Sequence, residues 1–354
     1  MTELAERSAL PRVEAALGRA LTEARDRASA VGSGVSGLWD ALLDAAHDGK
    51  RVRPLLLLDT HTALGGRRDD AALQVATAFE VLHLAFCVHD DVIDEDAIRR
   101  GRATVWARYQ RSARAIGAHE PHALAAGVAA GILAGDLLLT LAVRLVATAP
   151  LGSDEDMRLD LLDLLDDVVQ RTASGELDDV LGPVRPGSVT LADAVSTAAQ
   201  KTAEYSFVGP VVAGAVLAGA PAAVVDTLGA SARALGTAYQ LTDDLLGTFG
   251  EESVTGKSTR SDLAEGKVTA LVVLARETAA WPMLARYLGD REVSEAAAAG
   301  VRRELERTGV RARAEQLVEL HTASALHMLG HPAVPPGVRE VLERHAAALT
   351  GRQR

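Results

Sequence analysis

Apolar residues return at every third or fourth position along four long segments: "VEAALGRALTEARDRA" (13–28), "AGVAAGILAGDLLLTLAVRLVATA" (126–149), "LLDLLDDVVQRTASGELDDVL" (161–181) and "ARALGTAYQLTDDLLGTFG" (232–250). That spacing lines one face of a helix. Ala, Leu, Glu and Arg, all good helix formers, fill most of the chain. No segment gives several alternating, strand-like pairs bounded by hairpin turns. The expectation is an all-α fold, one large helical bundle forming a single domain over residues 1–354. Its helices should pause at 64–70, 117–123, 149–156, 182–188 and 330–337, where Gly, Pro and Asp collect. The polar stretch 250–267 reads as a loop with a short helix, "SEAAAAG" (294–300) as plain helix, and "TGRQR" (350–354) as a frayed tail. No composition shift marks a domain border.

Charge narrows the function. The net charge of −11 argues against nucleic-acid binding and against general attraction to acidic lipid. A single cysteine, Cys87, excludes an intrachain disulfide and a cysteine metal cluster. The first thirty residues carry charge throughout, and no apolar run of about 18 residues is uninterrupted. No signal peptide or membrane span is expected, and the expected location is cytoplasmic. Of 37 basic residues only four are lysines, Lys50, Lys201, Lys257 and Lys267. Each sits beside Gly or Thr in a short polar motif.

The stretch "CVHDDVIDEDAIRRGRATV" (87–105) ends an apolar helical face in acid. Residues four apart share a helix face, so Asp90 and Asp94 point the same way, with Asp91 at the edge and Phe86 and His83 below them. Carboxylates this close repel unless something positive sits between them. Oxygen ligands suit a hard cation, and Mg²⁺ takes few carboxylates, several waters and substrate phosphates. Zinc would need several His or Cys ligands; only Cys87 and His89 are at hand, on different faces. One acidic run is more often a solvated helix end. A second, "YQLTDDLLG" (239–247), places Asp243 and Asp244 in another apolar frame, with Gln240 one turn earlier. Two such pairs facing one another across a central cavity would suit a metal-bridged diphosphate. "GKRVRP" (49–54) adds Lys50, Arg51 and Arg53 in a glycine-started turn before a helix, where an anion can be held.

With these motifs in order, the chain resembles the trans-polyprenyl synthetases (isoprenyl diphosphate synthases) over roughly residues 45 to 275. "GKRVRP", "EVLHLAFCVHDDVIDEDAIRRGRAT" (80–104), "AGDLLL" (134–139), "GELDD" (175–179), the Lys201–Thr202 pair, and "YQLTDDLLG" through "GKVT" (ending at 269) follow the family's order. The resemblance implies an isoprenoid synthase fold with a central cavity and a Mg²⁺-dependent condensation of isopentenyl diphosphate with an allylic diphosphate (dimethylallyl, geranyl or farnesyl). It implies three Mg²⁺ per active site, held by Asp90, Asp91 and Asp94 and by Asp243 with Asp244 close by. Arg99, Lys201, Gln240 and Lys257 would contact the allylic diphosphate. Lys50, Arg53, His83 and Arg100, with Gly49 opening the turn, would hold isopentenyl diphosphate. Thr202 would act near the leaving group, and Lys267 would add charge at the site mouth. The family is usually homodimeric.

Three departures stand out. Gly247 replaces the third Asp of the second motif, Glu176 stands where Gln is more common, and Glu251 where Asp is usual. In the resembling family, bulky residues four and five positions before the first Asp stop chain growth. Here they are Phe86 and Ala85, one aromatic and one small, about one turn (~5.4 Å) below the metal site. The half-open floor implies geranylgeranyl diphosphate as product, with farnesyl diphosphate as the alternative. A class I terpene cyclase shares the fold and the ionisation but needs no second diphosphate pocket. Asp136 reads as a supporting or structural acid, Cys87 as a packing residue, and His321, His327, His331 and His345 as surface residues.

Overall fold

A computed structural model of the chain describes residues 2–185, 187–250 and 260–350. It is all-α apart from one two-residue hairpin. The chain divides into two compact units, Met1–Asp163 with Val216–Gly219, and Leu164–Ala215 with Ala220–Arg354.

The first unit begins with α1 (Thr2–Ser29), α2 (Ser33–Ala45), α3 (Val52–Ala63) and α4 (Asp69–Ile93). The hairpin β1 (Ile98–Arg99) and β2 (Arg102–Ala103) follows, then α5 (Val105–Ala115) and α6 (Glu120–Ala147). α4 is the core helix. Asp69 and Asp70 in its first turn suit the positive end of the helix dipole. Ala72, Ala76, Phe79 and Leu82 are buried on its inner side. α4 and α6 are each long and apolar enough to cross a bilayer by length and composition, but the apolar window of α4 is 67% buried within the protein and that of α6 44%. Asp136 and Arg144 break the apolar run of α6.

The second unit carries most of α7 (Glu155–Leu181), then α8 (Leu191–Ala198), a π-helical segment (Ala199–Val208), most of α9 (Gly209–Leu217) and α10 (Ala222–Phe249). α8 opens on a capping box between Thr190 and Asp193. Beyond α10 come the short α11 (Ser261–Glu265), α12 (Ala270–Ala275), α13 (Trp281–Tyr287), α14 (Glu295–Arg307), α15 (Val310–Leu329) and α16 (Pro336–Thr350). Leu241 and Leu245 of α10 pack in one core with Leu271, Leu274, Leu305 and Val318.

Each of the five expected pauses spans a break between helices, although 69–70, 120–123, 155–156 and 336–337 already belong to the next helix; the stretch 250–267 holds the short α11, its residues 251–259 lying outside the described ones, and "SEAAAAG" is helical behind a Ser294 cap. Two features depart from the sequence reading. The hairpin was hidden because each strand is two residues long, too short for any alternation. The π-helix leaves the apolar spacing nearly unchanged.

Candidate active site

α4 ends on its acids. A helix C-terminus is the negative end of the dipole, so Asp90, Asp91 and Asp94 stand where negative charge is least welcome. α4 closes after Ile93, with Asp94 as its cap and Glu95 left-handed at φ 58°. The backbone nitrogens of Asp94 and Asp96 donate to the carbonyls of Asp90 and Asp91. The hairpin then brings Arg99 back. Its two-residue turn, Arg100 at φ 51° and Gly101 at φ 73°, has the positive dihedrals that match strand twist. Arg99 Nε donates to Asp91 Oδ1 at 2.5 Å and Nη2 to Asp90 Oδ2 at 3.0 Å. Thr104 Oγ1 and Trp106 Nε1 both donate to the Asp96 carbonyl and pin the return.

The acids are thus answered by protein charge as well as by any ligand. Asp91, expected at the edge of the face, is the most buried of them, with 6% of its side chain exposed against 25% for Asp90. Burial pushes its carboxyl up to about 7 despite Arg99. Burial alone would lower the Arg99 pKa, but Cys87, Asp91 and Asp90 outweigh it and hold the guanidinium charged.

Two turns below, His83 lies beside Cys87, whose Sγ is 3.5 Å from Nδ1. Burial drives the His83 pKa well down, and Arg53, Arg100, Arg99 and Arg51 push it further. The guanidiniums near this imidazole favour an anion there, although Arg51 and Arg99 are also paired with acids. A pocket in this unit is lined by His83, Arg51, Arg99 and Arg100 among others. The "GKRVRP" turn splits its cations. Lys50 is exposed, Arg53 is partly buried, and Arg51 is buried. Arg51 is therefore not an open anion ligand as its place in the turn suggested; its donors are committed within the protein. Arg100 donates from Nη1 to the Asp48 carbonyl.

In the second unit the π-helix places Lys201 and Thr202. Lys201 Nζ donates to Asp179 Oδ2 at 2.7 Å and Glu176 Oε1 at 3.0 Å. The Gly175 backbone comes so close that a Cβ there would overlap the Lys201 nitrogen and sit 2.8 Å from the Gln200 carbonyl carbon. The glycine of "GELDD" is thus what lets α7 meet the π-helix. Thr202 Oγ1 donates to Gln240 Oε1 at 2.6 Å, and Gln240 Nε2 donates to Asp244 Oδ1 at 2.8 Å. Asp243 precedes Asp244 on the last turns of α10. Burial first, then Asp262, pushes the Asp244 carboxyl up to about 8.

Sequence reading overlooked Asp179 and Asp262. The first lay inside a motif quoted whole. The second sits in the polar stretch, with Oδ2 2.8 Å from where a Cβ on Gly247 would be, so the missing third Asp of the motif leaves room that another carboxylate occupies. Lys257 and Glu251 lie outside the described residues. Lys267 pairs with Glu265 at 2.8 Å. Phe86 is partly buried, while Ala85 and Leu82 are buried. Asp136 lies 3.7 Å from His89, in keeping with a supporting acid. His327 and His331 are exposed, but His321 and His345 are only partly so, and burial lowers the His321 pKa.

Among the described residues no three acidic, histidine or cysteine side chains are gathered into a ready metal cage. What each unit offers is all-oxygen: a pair of neighbouring aspartates, one of them held up into the neutral range. That fits a hard divalent cation completed by water and phosphate oxygens, and the relief of carboxylate repulsion is what such a cation supplies.

The sequence profile of the polyprenyl synthetases matches residues 38–302. A geranylgeranyl diphosphate synthase of Mycobacterium tuberculosis is 34% identical over 277 residues, spanning 77% of this chain and 72% of its own. A (2E,6E)-farnesyl diphosphate synthase of the same species is 31% identical over 313 residues, 86% of this chain and 80% of the relative. The crystal structure of geranylgeranyl pyrophosphate synthase from Corynebacterium glutamicum, complexed with isoprenyl diphosphate and magnesium, superposes with a TM-score of 0.87 at 27% identity, covering 96% of this chain and 98% of that one. The chain belongs to the polyprenyl synthetase family and is a prenyltransferase that makes prenyl diphosphates.

Proposed function

We propose that this enzyme condenses isopentenyl diphosphate with an allylic diphosphate, dimethylallyl, geranyl or farnesyl, and releases geranylgeranyl diphosphate. The observation that carries the reading is the pairing within one unit of an acid-ended helix, Asp90 and Asp91, with a pocket lined by His83 and Arg100 besides the acid-paired Arg51 and Arg99. A cyclase would need only the first of these; a condensing enzyme needs a cationic holder for a second diphosphate.

The roles follow residue by residue. Asp90, Asp91 and Asp94 would hold Mg²⁺ for the allylic diphosphate, and Asp243, with Asp244 beside it, would hold a further ion, for three in all. Bound Mg²⁺ supplies Lewis-acid stabilisation of the leaving diphosphate. Arg99, Lys201 and Gln240 orient that diphosphate, together with Lys257. Lys201 already stands between Glu176 and Asp179, so its ammonium is positioned before substrate arrives. Thr202, its hydroxyl proton donated to Gln240 Oε1, stands near the leaving group with an oxygen able to accept a hydrogen bond or a proton. Lys50, Arg53, His83 and Arg100 hold the diphosphate of isopentenyl diphosphate. The allylic C–O bond breaks to leave an allylic cation and diphosphate, the homoallylic double bond attacks the cation, and a proton then leaves to the departed diphosphate. Apolar walls keep water from the cation, and Phe86 beside the small Ala85 stops growth at C20.

The residues 1–354 form one polyprenyl synthetase domain, acting as a cytoplasmic homodimer. The farnesyl product is the second reading, favoured by the aromatic at Phe86. Incubation with labelled isopentenyl diphosphate and each primer tests the proposal. A labelled C20 diphosphate is expected; cyclic hydrocarbon without isopentenyl uptake would overturn it.

A further inference from the structure

Arg51 sits between two residues assigned to substrate, Lys50 and Arg53, yet its donors are committed to acceptors inside the protein. Its backbone is left-handed, φ 49° and ψ 37°, at the N-cap of α3, a conformation that residues with a Cβ seldom adopt. That twist sets Lys50 in solvent and sends the Arg51 side chain inward, 4% exposed.

The guanidinium reaches three separate elements. Nε donates to Glu14 Oε1 on α1 at 2.8 Å and Nη2 to Glu14 Oε2 at 3.2 Å. Nη2 also donates to the Ala46 carbonyl at 2.6 Å, just past α2. Nη1 donates to Glu80 Oε1 on α4 at 2.9 Å. Four of its five N–H donors are spent. Burial opposes its charge, but Glu14 and Glu80 together raise its pKa. Glu80 in turn leans on this contact, because its Oε2 is buried with no hydrogen-bond partner. The turn closes over the guanidinium: a Cβ on Gly49 would lie 2.6 Å from Arg51 Nη1 and 3.4 Å from Arg100 Nη1. Glu80 is one helical turn before His83, so the same contact ties the turn to the helix that carries His83.

We propose that Arg51 is a positioning residue: held by Glu14, Ala46 and Glu80, it fixes the Gly49–Arg53 turn against α4 and thereby sets the affinity for isopentenyl diphosphate without touching it. The proposal rests on the assignment of Lys50, Arg53 and His83 to that substrate. It explains why this position needs arginine. A planar fork can bridge three acceptors in fixed directions; a lysine ammonium is a single point charge that cannot.

The test is steady-state kinetics of the full chain with Mg²⁺, varying each substrate separately, for wild type, Lys50→Ala, Arg51→Lys, Glu14→Gln and the Glu14→Gln/Arg51→Lys double variant. Arg51→Lys is expected to raise the KM for isopentenyl diphosphate at least about tenfold, as a displaced binding group does. The primer KM and kcat should stay within about twofold. Glu14→Gln, on a half-exposed side chain that keeps its shape, should raise the same KM by about threefold or more, and the double variant should be no worse than Arg51→Lys, since both act through one contact. Thermal melting of each variant confirms folding, and Glu14→Gln decides the matter should Arg51→Lys not fold. An unchanged KM for isopentenyl diphosphate in Arg51→Lys or Glu14→Gln, while Lys50→Ala raises it, would overturn the proposal alone. Equal weakening of both substrates by Arg51→Lys would also overturn it. An unchanged KM in Lys50→Ala would overturn the assignment of the turn and the proposal with it.

Discussion

Arg99 Nε donates to Asp91 Oδ1 at 2.5 Å, and the same guanidinium reaches Asp90 Oδ2 at 3.0 Å. One cation therefore restrains two neighbouring acids at the end of α4 before any metal or substrate is bound. Arg99→Gln removes that cation and leaves Asp91 buried without its partner. It should cost roughly 3 kcal/mol of stability, the scale for breaking a largely buried pair from one side. It should also raise the KM for the allylic primer about tenfold or more, as loss of a charge-assisted contact would. Thermal denaturation and primer titration check the two effects; a variant unchanged in both would mean that Arg99 is a bystander.

Gly175→Ala should be among the most damaging single-methyl changes in the second unit. The new Cβ would meet backbone, the Lys201 nitrogen and the Gln200 carbonyl carbon, which cannot swing aside. The π-helix must move, and Lys201 and Thr202 with it. Overpacking of this kind costs about 1–3 kcal/mol, and turnover should fall further than stability alone explains. Gly175→Ala with wild-type melting and turnover would show that the contact is slack.

Acid sensitivity has two identifiable sources away from the site, His61 and His321, and His61 is the more fully buried residue. His61 is buried, and burial lowers its pKa below the ordinary 6.5. The unfolded chain then binds a proton that the folded chain resists, so stability is full above about 6.5 and declines as pH falls below it. His61→Phe should flatten the fall in melting temperature between about pH 6.5 and 5. An identical pH profile in the variant would remove His61 from the account.

Phe86→Ala should lengthen the product. The residue lies one helical turn, ~5.4 Å, below Asp90 on nearly the same face, and its neighbour Ala85 offers no second barrier. Chromatography of the products after extended incubation reads the result. The same chain length as wild type would mean that Phe86 packs away from the growing tail.

The helical frame was legible because 3.6-residue periodicity survives in nearly every long segment, and five of the pauses were legible because Gly, Pro and Asp cluster there. The acids of the site were legible as types and spacings. Their electrostatics were not. That Asp91 rather than Asp90 is the buried member depends on how α4 meets its neighbours, and the embrace by Arg99 depends on a hairpin too short to leave a pattern. Arg51 illustrates the limit best. Three cations in one turn look equivalent in sequence, and only the left-handed backbone at Arg51 separates the one facing Glu14 and Glu80 from the two beside it. Asp262 escaped for a related reason: its closeness to Gly247 of the second motif leaves no trace in spacing along the chain.

The central claim is that the aspartate pairs of both units serve one Mg²⁺-dependent condensation. The most direct measurement is the rate of labelled isopentenyl diphosphate incorporation by wild type, Asp90→Ala and Asp243→Ala at saturating primer and Mg²⁺. Each variant should fall by at least about 100-fold, the scale for losing a principal electrostatic group, while wild type loses activity on chelation of the metal. Near wild-type incorporation by both variants would contradict the claim.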